Sequence, residues 1–430
     1  MAYGDRMAPG VGPPHSDEPI SAAVTTTCCV VGGGPAGVML SLLLARAGVP
    51  VTLLEAHRDF ERDFRGDTIH SSTLEVLDQI GLADRLHELP HAKTRELRFV
   101  SPGGGYTIAV FKRLPTRFPY VMMMPQSRFL EFVVNEAKQY PHFRLVMGAS
   151  VHELLEADGT IRGVVYRGPQ GRREIRAALT VATDGRFSSI RKLAGLEPVS
   201  TSAPMEVLWL RLPRKPEDEH DQATLNIRQG TFLVLLGRER EWQLGYVTPK
   251  GGFQKLKTEG LTALQESIAA AAPWLADRVS LLDDWRRVNV LSVEANRLTR
   301  WHRPGLLLIG DAAHVMLPVG GVGINCAISD AVEAANVLIE PLRAGAVGDK
   351  QLEEVQRRRE RLTSLIQRFQ TLMQRRIVGA LETGKPFSPP LLMRIILRVP
   401  GLRNLPARIV AFGIRRVRLE RPDVRIEEIT

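Results

Sequence analysis

The chain has 430 residues, 44% of them apolar and 24% charged, and a formal charge of +10 at neutral pH. This is the balance of a soluble globular protein long enough for two domains, or for one domain with a large insertion. It excludes a transmembrane helix, because no apolar run of about 18 residues occurs, and three cysteines exclude a disulfide framework.

Residues 1–24 are rich in Pro, Gly and Ser and lack an apolar core segment, so a flexible leader is expected and not a signal peptide. Cys28 and Cys29 fall in a short apolar, β-branched run of the kind that forms a buried parallel strand. Gly32, Gly34 and Gly37 then fit G-x-G-x-x-G. In that pattern the first glycine permits the tight turn, the second lets a pyrophosphate approach the backbone, and the third lets the helix sit close on the strand. A helix is expected from about Pro35 to Arg46, with Val38, Leu42 and Ala45 on one face and Gly48 as its stop. Its start offers unpaired N–H groups to phosphate. A second strand, 51–55, ends in Glu55, 18 residues beyond Gly37, where a carboxylate suits an adenosine ribose. Strand, helix, strand and terminal acid together point to a dinucleotide.

A polar loop, the run Arg65-Gly66-Asp67-Thr68 and a helix over 71–80 follow. Residues 95–124 read as strands, and Gln126 opens an amphipathic helix. Residues 144–182 alternate as an antiparallel meander with turns at 158–159 and 168–171. The meander ends in an apolar strand over 178–182 that enters Thr183-Asp184-Gly185. Residues 203–300 predict a second sheet, with strands over 207–212, 224–227, 231–236 and 242–247 and a helix over 262–272. A buried strand over 306–309 leads into Gly310-Asp311. A long helix starts near Gly323, and a strongly charged one covers 351–379.

Three motifs now stand in order: the glycine loop at 32–37, Asp184-Gly185-Arg186-Phe187-Ser188-Ser189-Ile190-Arg191, and Gly310-Asp311-Ala312-Ala313-His314 with Pro318-Val319-Gly320-Gly321-Val322-Gly323-Ile324-Asn325. The set resembles the class A FAD-dependent monooxygenases, the para-hydroxybenzoate hydroxylase-like flavoproteins, over roughly residues 26–345. The resemblance implies an α/β fold: a Rossmann-like FAD-binding domain over 25–95, 126–200 and 301–345, interleaved with a mixed or antiparallel substrate sheet over 96–125 and 201–300. A C-terminal helical region would cover 346–430.

The resemblance also implies roles. Gly32, Gly34, Pro35, Ala36 and Gly37 would cradle the FAD pyrophosphate, with Glu55 on the ribose. Arg65 and Gln126 would face the cofactor, and Asp311 its ribityl chain. Asp184 and Gly185 belong to a motif tied to both FAD and NAD(P)H. The glycines between Pro318 and Gly323, Gly321 among them, would let the backbone lie against the flavin ring. The N–H groups of Ile324 and Asn325 would reach its pyrimidine edge, where a helix start stabilises negative charge. His314 reads as a residue packed near the cofactor and not as a base, so no catalytic acid or base is assigned, and no Cys/His spacing suggests a metal.

The implied activity is NAD(P)H-driven hydroxylation or epoxidation of an aromatic or polyketide-like small molecule through a flavin C4a-hydroperoxide. Alternatives are an oxidoreductase acting on an isoprenoid or quinone lipid at a membrane surface, and a flavin-bound scaffold without redox turnover. The halogenase pattern Trp-x-Trp-x-Ile-Pro is absent. A substrate pocket is expected between the flavin and the second sheet, while Met122-Met123-Met124 reads as ordinary core.

Residues 351–430 carry 17 Lys and Arg against 8 Asp and Glu, a surplus of 9. No nucleic-acid motif accompanies it, so no nucleic-acid partner is expected. The apolar, basic tail over 386–418 could rest peripherally on a membrane; a helical hairpin packed on the protein is the plainer reading. A cytoplasmic location is expected from the cysteine usage.

Overall fold

The computed structural model describes residues 21–61, 66–101, 104–201, 205–218, 222–228, 231–293, 295–383, 396, 399 and 402–422. The chain begins with β1 (Ser21–Val31), α1 (Pro35–Arg46) and β2 (Val51–Glu55). Short strands β3 (Thr68–Ile69) and β4 (Ala92–Thr94) enclose α2 (Ser71–Gln79) and α3 (Ala83–His87). The hairpin β5 (Glu96–Ser101) and β6 (Gly104–Val110), strand β7 (Val121–Met123) and helix α4 (Gln126–Ala137) follow. Next come β8 (Phe143–Met147), β9 (Ser150–Ala157), β10 (Thr160–Gly168) and the long β11 (Gly171–Ala182).

After α5 (Ser189–Leu193) and β12 (Val199–Ser200) the chain builds β13 (Met205–Pro213), β14 (Gln222–Arg228), β15 (Thr231–Gly237) and β16 (Glu241–Pro249). Helices α6 (Gly252–Glu259) and α7 (Leu261–Ala271) precede β17 (Asn289–Val293) and β18 (Asn296–Arg297). The return leg is β19 (His302–Arg303), β20 (Leu306–Leu308), β21 (His314–Val315), α8 (Gly323–Arg343), α9 (Asp349–Thr383) and α10 (Leu405–Phe412).

The first sheet runs β19-β20-β11-β1-β2-β8, and all its neighbours from β20 to β8 are parallel. Its central strands are buried on both faces, which is why they read as continuous apolar runs. Cys28 and Val30 of β1 point into a core shared with α1, α4 and α8. Cys29 and Val31 point into a second core with Val164, Tyr166 and Ile175 of the β9–β11 meander. The two adjacent cysteines thus occupy opposite layers, and burial pushes the Cys29 thiol up to about 12.

Three expectations change. Residues 143–147 are not the first strand of the meander; β8 pairs in parallel with β2, and only β9–β11 are antiparallel. Helix α1 has no exposed face, because it is sandwiched between the sheet, α4 and α8, and Ala36 through Arg46 are all buried. A short helix, α6, precedes the expected α7.

The second sheet runs β17-β13-β16-β15-β14-β5-β6, antiparallel except for β14 beside β5. Side chains alternate along it. Leu233 and Leu235 pack under α7, and Phe232 and Ile227 face the other way with Ile377 of α9. Segment 121–123, expected with this sheet, instead pairs with β3 and β4.

Helix α9 joins the two halves. Most of its charged residues face solvent, yet the middle of its buried stripe, between Val355 and Ile377, is polar: Arg359, Thr363, Gln367, Gln370 and Gln374. These side chains take up backbone groups of irregular segments. Gln356 Oε1 accepts from Trp301 N (2.9 Å), and Gln367 Nε2 donates to Asn296 O (3.0 Å) and Val315 O (2.9 Å). The hub is Asp330 of α8. Its Oδ1 accepts from Arg359 Nε (2.6 Å), and its Oδ2 meets His314 Nε2 (2.6 Å) and Gly310 N (2.9 Å). Burial raises the Asp330 pKa, but the charges and hydrogen bonds of His314 and Arg359 outweigh it and hold the carboxyl at about 2.

The tail from 386 lies largely outside the described residues. Of the part described, α10 buries Ala407 and Ala411 against Phe111 and Val121, and Arg416 pairs with Glu75 of α2. This is the packed arrangement. The longest apolar helix among the described residues, α8, has a largely buried apolar window.

Asp330→Ala strands two buried partners, so it should lower folding free energy by about 3–5 kcal/mol, measured by urea denaturation. The native pKa lies below the unfolded value, so this contribution is present above about pH 4 and is lost as pH falls towards 2. Wild-type protein should therefore lose more stability than Asp330→Ala over that interval; parallel acid titrations would refute the assignment.

Candidate active site

The C-terminal ends of β1, β2, β11 and β20 open on one cavity, as the rule for open parallel sheets requires. β1 is the switch point: its chain leaves through α1 to β2 on one side, while β11 and β20 lie on the other. The cavity holds about 940 Å³ and reaches from these strand ends to the inner face of the second sheet.

At the strand ends the lining is glycine and backbone. Gly32 N donates to Leu54 O (2.7 Å), Gly33 N donates to Glu55 Oε2 (2.7 Å), and Thr183 Oγ1 donates to Gly32 O (2.7 Å). Two kinds of glycine occur here. A Cβ on Gly37 would lie 2.0 Å from Gly32 O, so Gly37 serves helix-to-strand packing and does not line the cavity. A Cβ on Gly34 would meet no protein atom closer than 3.8 Å and would project into the cavity that Gly34 lines. Packing therefore does not require glycine at 34.

Glu55 is buried, and its Oε1 accepts from His57 N (2.8 Å). Asp184 accepts from Ser188 Oγ (2.5 Å) and Ile190 N (3.1 Å), which caps α5, and burial raises its pKa against these bonds. Arg191 lies behind it. The guanidinium donates to Ala312 O (3.2 Å) and Arg186 O (2.7 Å), tying the second motif to the third. Burial lowers the Arg191 pKa, opposed by the nearby charges of Asp184 and Asp311.

The middle of the cavity is framed by the loop before α8. Gly320 and Gly321 both take positive φ, and Gly321 N donates to Pro318 O (3.0 Å). Gln370 of α9 clamps this loop from behind. Its Oε1 accepts from Leu317 N (3.2 Å), and its Nε2 donates to Leu317 O (2.8 Å) and Val319 O (2.9 Å). In front, Thr68 Oγ1 donates to Gly321 O (2.8 Å). Helix α8 starts at Gly323, so the N–H groups of Gly323, Ile324 and Asn325 have no acceptor within the helix.

Of the residues singled out in the sequence, Gly32, Gly34, Pro35, Ala36, Glu55 and Gln126 line the cavity. So do Asp184, Gly185, Asp311, Pro318, Gly321, Gly323 and Ile324. Gly37 and Asn325 stand behind the lining. The Asn325 side chain is spent on the protein: Oδ1 accepts from His70 N (2.9 Å) and Thr73 Oγ1 (2.8 Å), and Nδ2 donates to Thr68 O (3.1 Å). Arg65 lies outside the described residues. His314 is buried on Asp330 and does not reach the cavity.

Sequence reasoning missed Asp67, His70, Arg191 and Gln374, which also line the cavity. Asp67 is buried in an ion pair with Arg238 of the β15–β16 connection. Burial raises its pKa, and the Arg238 charge opposes the shift. Its signal was the Arg65–Thr68 run, read only for its arginine. The far wall is apolar, built by alternate residues of β14 and β15 (Ala223, Leu225, Ile227; Phe232, Val234, Leu236) with Phe99, Trp209, Met373 and Ile377. Of the methionine strip, Met123 lines the cavity, while Met122 and Met124 pack in the helical core.

A profile of the family described as "FAD binding domain" matches residues 25–369. The chain is 33% identical over 392 residues to 6-methylpretetramide 4-monooxygenase of Streptomyces rimosus, covering 90% of this chain and 92% of that one. It is 25% identical over 337 residues to para-nitrophenol 4-monooxygenase of a Pseudomonas strain, covering 74% and 79%. Two other curated relatives are longer, and the matched region is 59% of the length of each. Among solved structures, OxyS anhydrotetracycline hydroxylase of Streptomyces rimosus superposes with a TM-score of 0.70 at 23% identity, over 90% of this chain and 76% of that one, a likeness of fold.

Gln370→Leu removes the clamp and leaves buried backbone groups of the loop without partners. It should cost about 1–3 kcal/mol and speed amide exchange over 316–321. Unchanged exchange there would show that the loop holds its own shape.

Proposed function

This chain belongs to the FAD-binding domain family and is an FAD-dependent monooxygenase; from that premise we propose that it uses NAD(P)H and oxygen to hydroxylate or epoxidise a planar aromatic or polyketide-like molecule. One observation carries the reading: a single cavity joins a glycine-and-backbone cradle at the strand ends to an apolar wall on the second sheet. The polar end suits a dinucleotide, and the apolar end suits fused rings.

The residues present fit FAD. The open side of Gly34 and the start of α1 would receive the pyrophosphate. Glu55 lines the cavity at the end of β2, where Gly33 N holds its Oε2 and His57 N and Nδ1 (2.8 and 2.7 Å) hold its Oε1, a fixed carboxylate in keeping with a ribose contact. Asp311 and Gln126 line the stretch between cradle and loop, in keeping with ribityl contacts. Arg65 keeps its cofactor-facing role on its place in the motif. Asp184 and Gly185 serve by shaping the corner at β11. Gly323, Ile324 and Asn325 would present backbone N–H groups to the ring, and the α8 dipole favours negative charge there. When bound, FAD takes hydride from NAD(P)H and activates oxygen.

The chain's own share is positioning and exclusion of water. Phe99, Trp209, Leu225, Phe232, Val234 and Ile377 give a wall without charge, which suits rings and offers water no hydrogen-bond partner from its side chains save the Trp209 indole N–H. The lipid alternative draws no support from the described tail, where Val410 lines the cavity and Arg416 is bound to Glu75.

Purified protein should carry flavin absorbance that bleaches with NADPH under nitrogen. With an aromatic substrate it should consume oxygen and give a product heavier by one oxygen. A product heavier by two hydrogens would identify a reductase, and flavin bands that persist with NADPH even when an aromatic ligand is present would point to the scaffold reading. Gly34→Ala should fold with stability within about 1 kcal/mol of wild type and retain little FAD, whereas Gly37→Ala should lose about 1–3 kcal/mol from backbone overpacking.

A further inference from the structure

His70 is one of the most fixed side chains of the cavity wall. It is 1% exposed, yet it lines the cavity. Its backbone N donates to Asn325 Oδ1 (2.9 Å), and its ring Nδ1 lies 2.6 Å from Val410 O. A carbonyl oxygen only accepts, so Nδ1 carries the proton and Nε2 presents a bare lone pair. Among the described residues no group takes that lone pair, and His70 lines the cavity. Apolar Phe111, Val121, Met123, Leu236 and Val410 line the same cavity, together with the polar Asp67, Thr68 and Thr94. Burial holds the imidazole well below its usual range, at about 4, so it is neutral at physiological pH.

A neutral acceptor pinned at its backbone N and its ring Nδ1, with Nε2 unpaired among the described residues, is an unmet hydrogen bond. Its complement is a hydroxyl donor on an otherwise apolar ligand. We propose that His70 Nε2 accepts a hydrogen bond from a phenolic or enolic hydroxyl of the substrate, and so selects neutral hydroxylated ring systems and fixes their orientation in the cavity. The inference rests on the monooxygenase reading above and adds the substrate's recognition group. A carboxylate in the same place would face a lone pair with no donor, and is disfavoured. Thr68, two residues earlier, bonds to Gly321 of the loop before α8, so a ligand held at His70 is registered against that loop through one short rigid segment.

The test uses the FAD-loaded full chain and two probes, 2-naphthol and naphthalene, with binding read from perturbation of the flavin spectrum. Wild type should bind the hydroxylated probe about tenfold or more tightly than the parent, the worth of one buried hydrogen bond. His70→Phe should erase that preference while keeping its flavin. His70→Gln, whose amide can donate to Val410 O and still accept, should recover part of it, and serves also if the Phe variant fails to fold. An equal preference in His70→Phe, or none in wild type, would overturn the proposal and leave the enzyme reading intact. Failure of wild type to hold reducible FAD would overturn the reading beneath it.

Discussion

The site depends on one buried carboxylate. Asp330 gathers the end of β20 through Gly310 N, the third motif through His314, and α9 through Arg359. A carboxylate in a dry interior is costly unless it is paired and its lone pairs are used. Here two cationic or donor side chains and a backbone N–H meet that need. The consequence is geometric. With Gly310 fixed, Asp311 is delivered to the cavity, and with α9 fixed, its glutamines lie behind the loop that leads into α8.

The same logic recurs across the cavity. Its walls are irregular backbone, which must find partners or hydration. Asn325, Gln367 and Gln370 supply the partners from behind the lining and Thr68 from within it, so that the loop's backbone is held without filling the cavity. The result is a cavity of two characters. Backbone N–H groups and glycines face one end, and alternate β-strand residues face the other. Such preorganisation lets one cavity hold a charged dinucleotide and exclude water from rings a short distance away.

Much of this was legible in the sequence for definite reasons. The first strand, α1 and Glu55 were legible because a doubly buried strand, a glycine turn and a terminal acid leave a compact local signature. The loop at 318–325 was legible because positive φ demands glycine. What was not legible depends on long-range partners. The strand at 143–147 resembles its antiparallel neighbours, and only pairing with β2 tells it apart. The buried stripe of α9 reads as solvated because Gln and Arg are usually outside; its burial follows from carbonyls about 50 residues away that no local pattern announces. His70 sits in a helix lead-in that any polar residue could fill, and it becomes notable only when Asn325 and Val410 arrive from distant parts of the chain.

This division bears on how such a site can diverge. The cradle is built from backbone, so it is insensitive to side-chain change except at its glycines, where a Cβ would enter the cavity at 34 or strike backbone at 32 and 37. The apolar wall is built from alternate strand residues, each replaceable with the other face of its sheet undisturbed, because Leu233 and Leu235 answer to α7 while Phe232 and Val234 face the cavity. The polar groups behind the loop answer to neither. Substrate choice can therefore shift through a few positions on β14, β15 and the 66–70 segment, while Asp330, Asn325 and Gln370 keep the cradle and the loop in register.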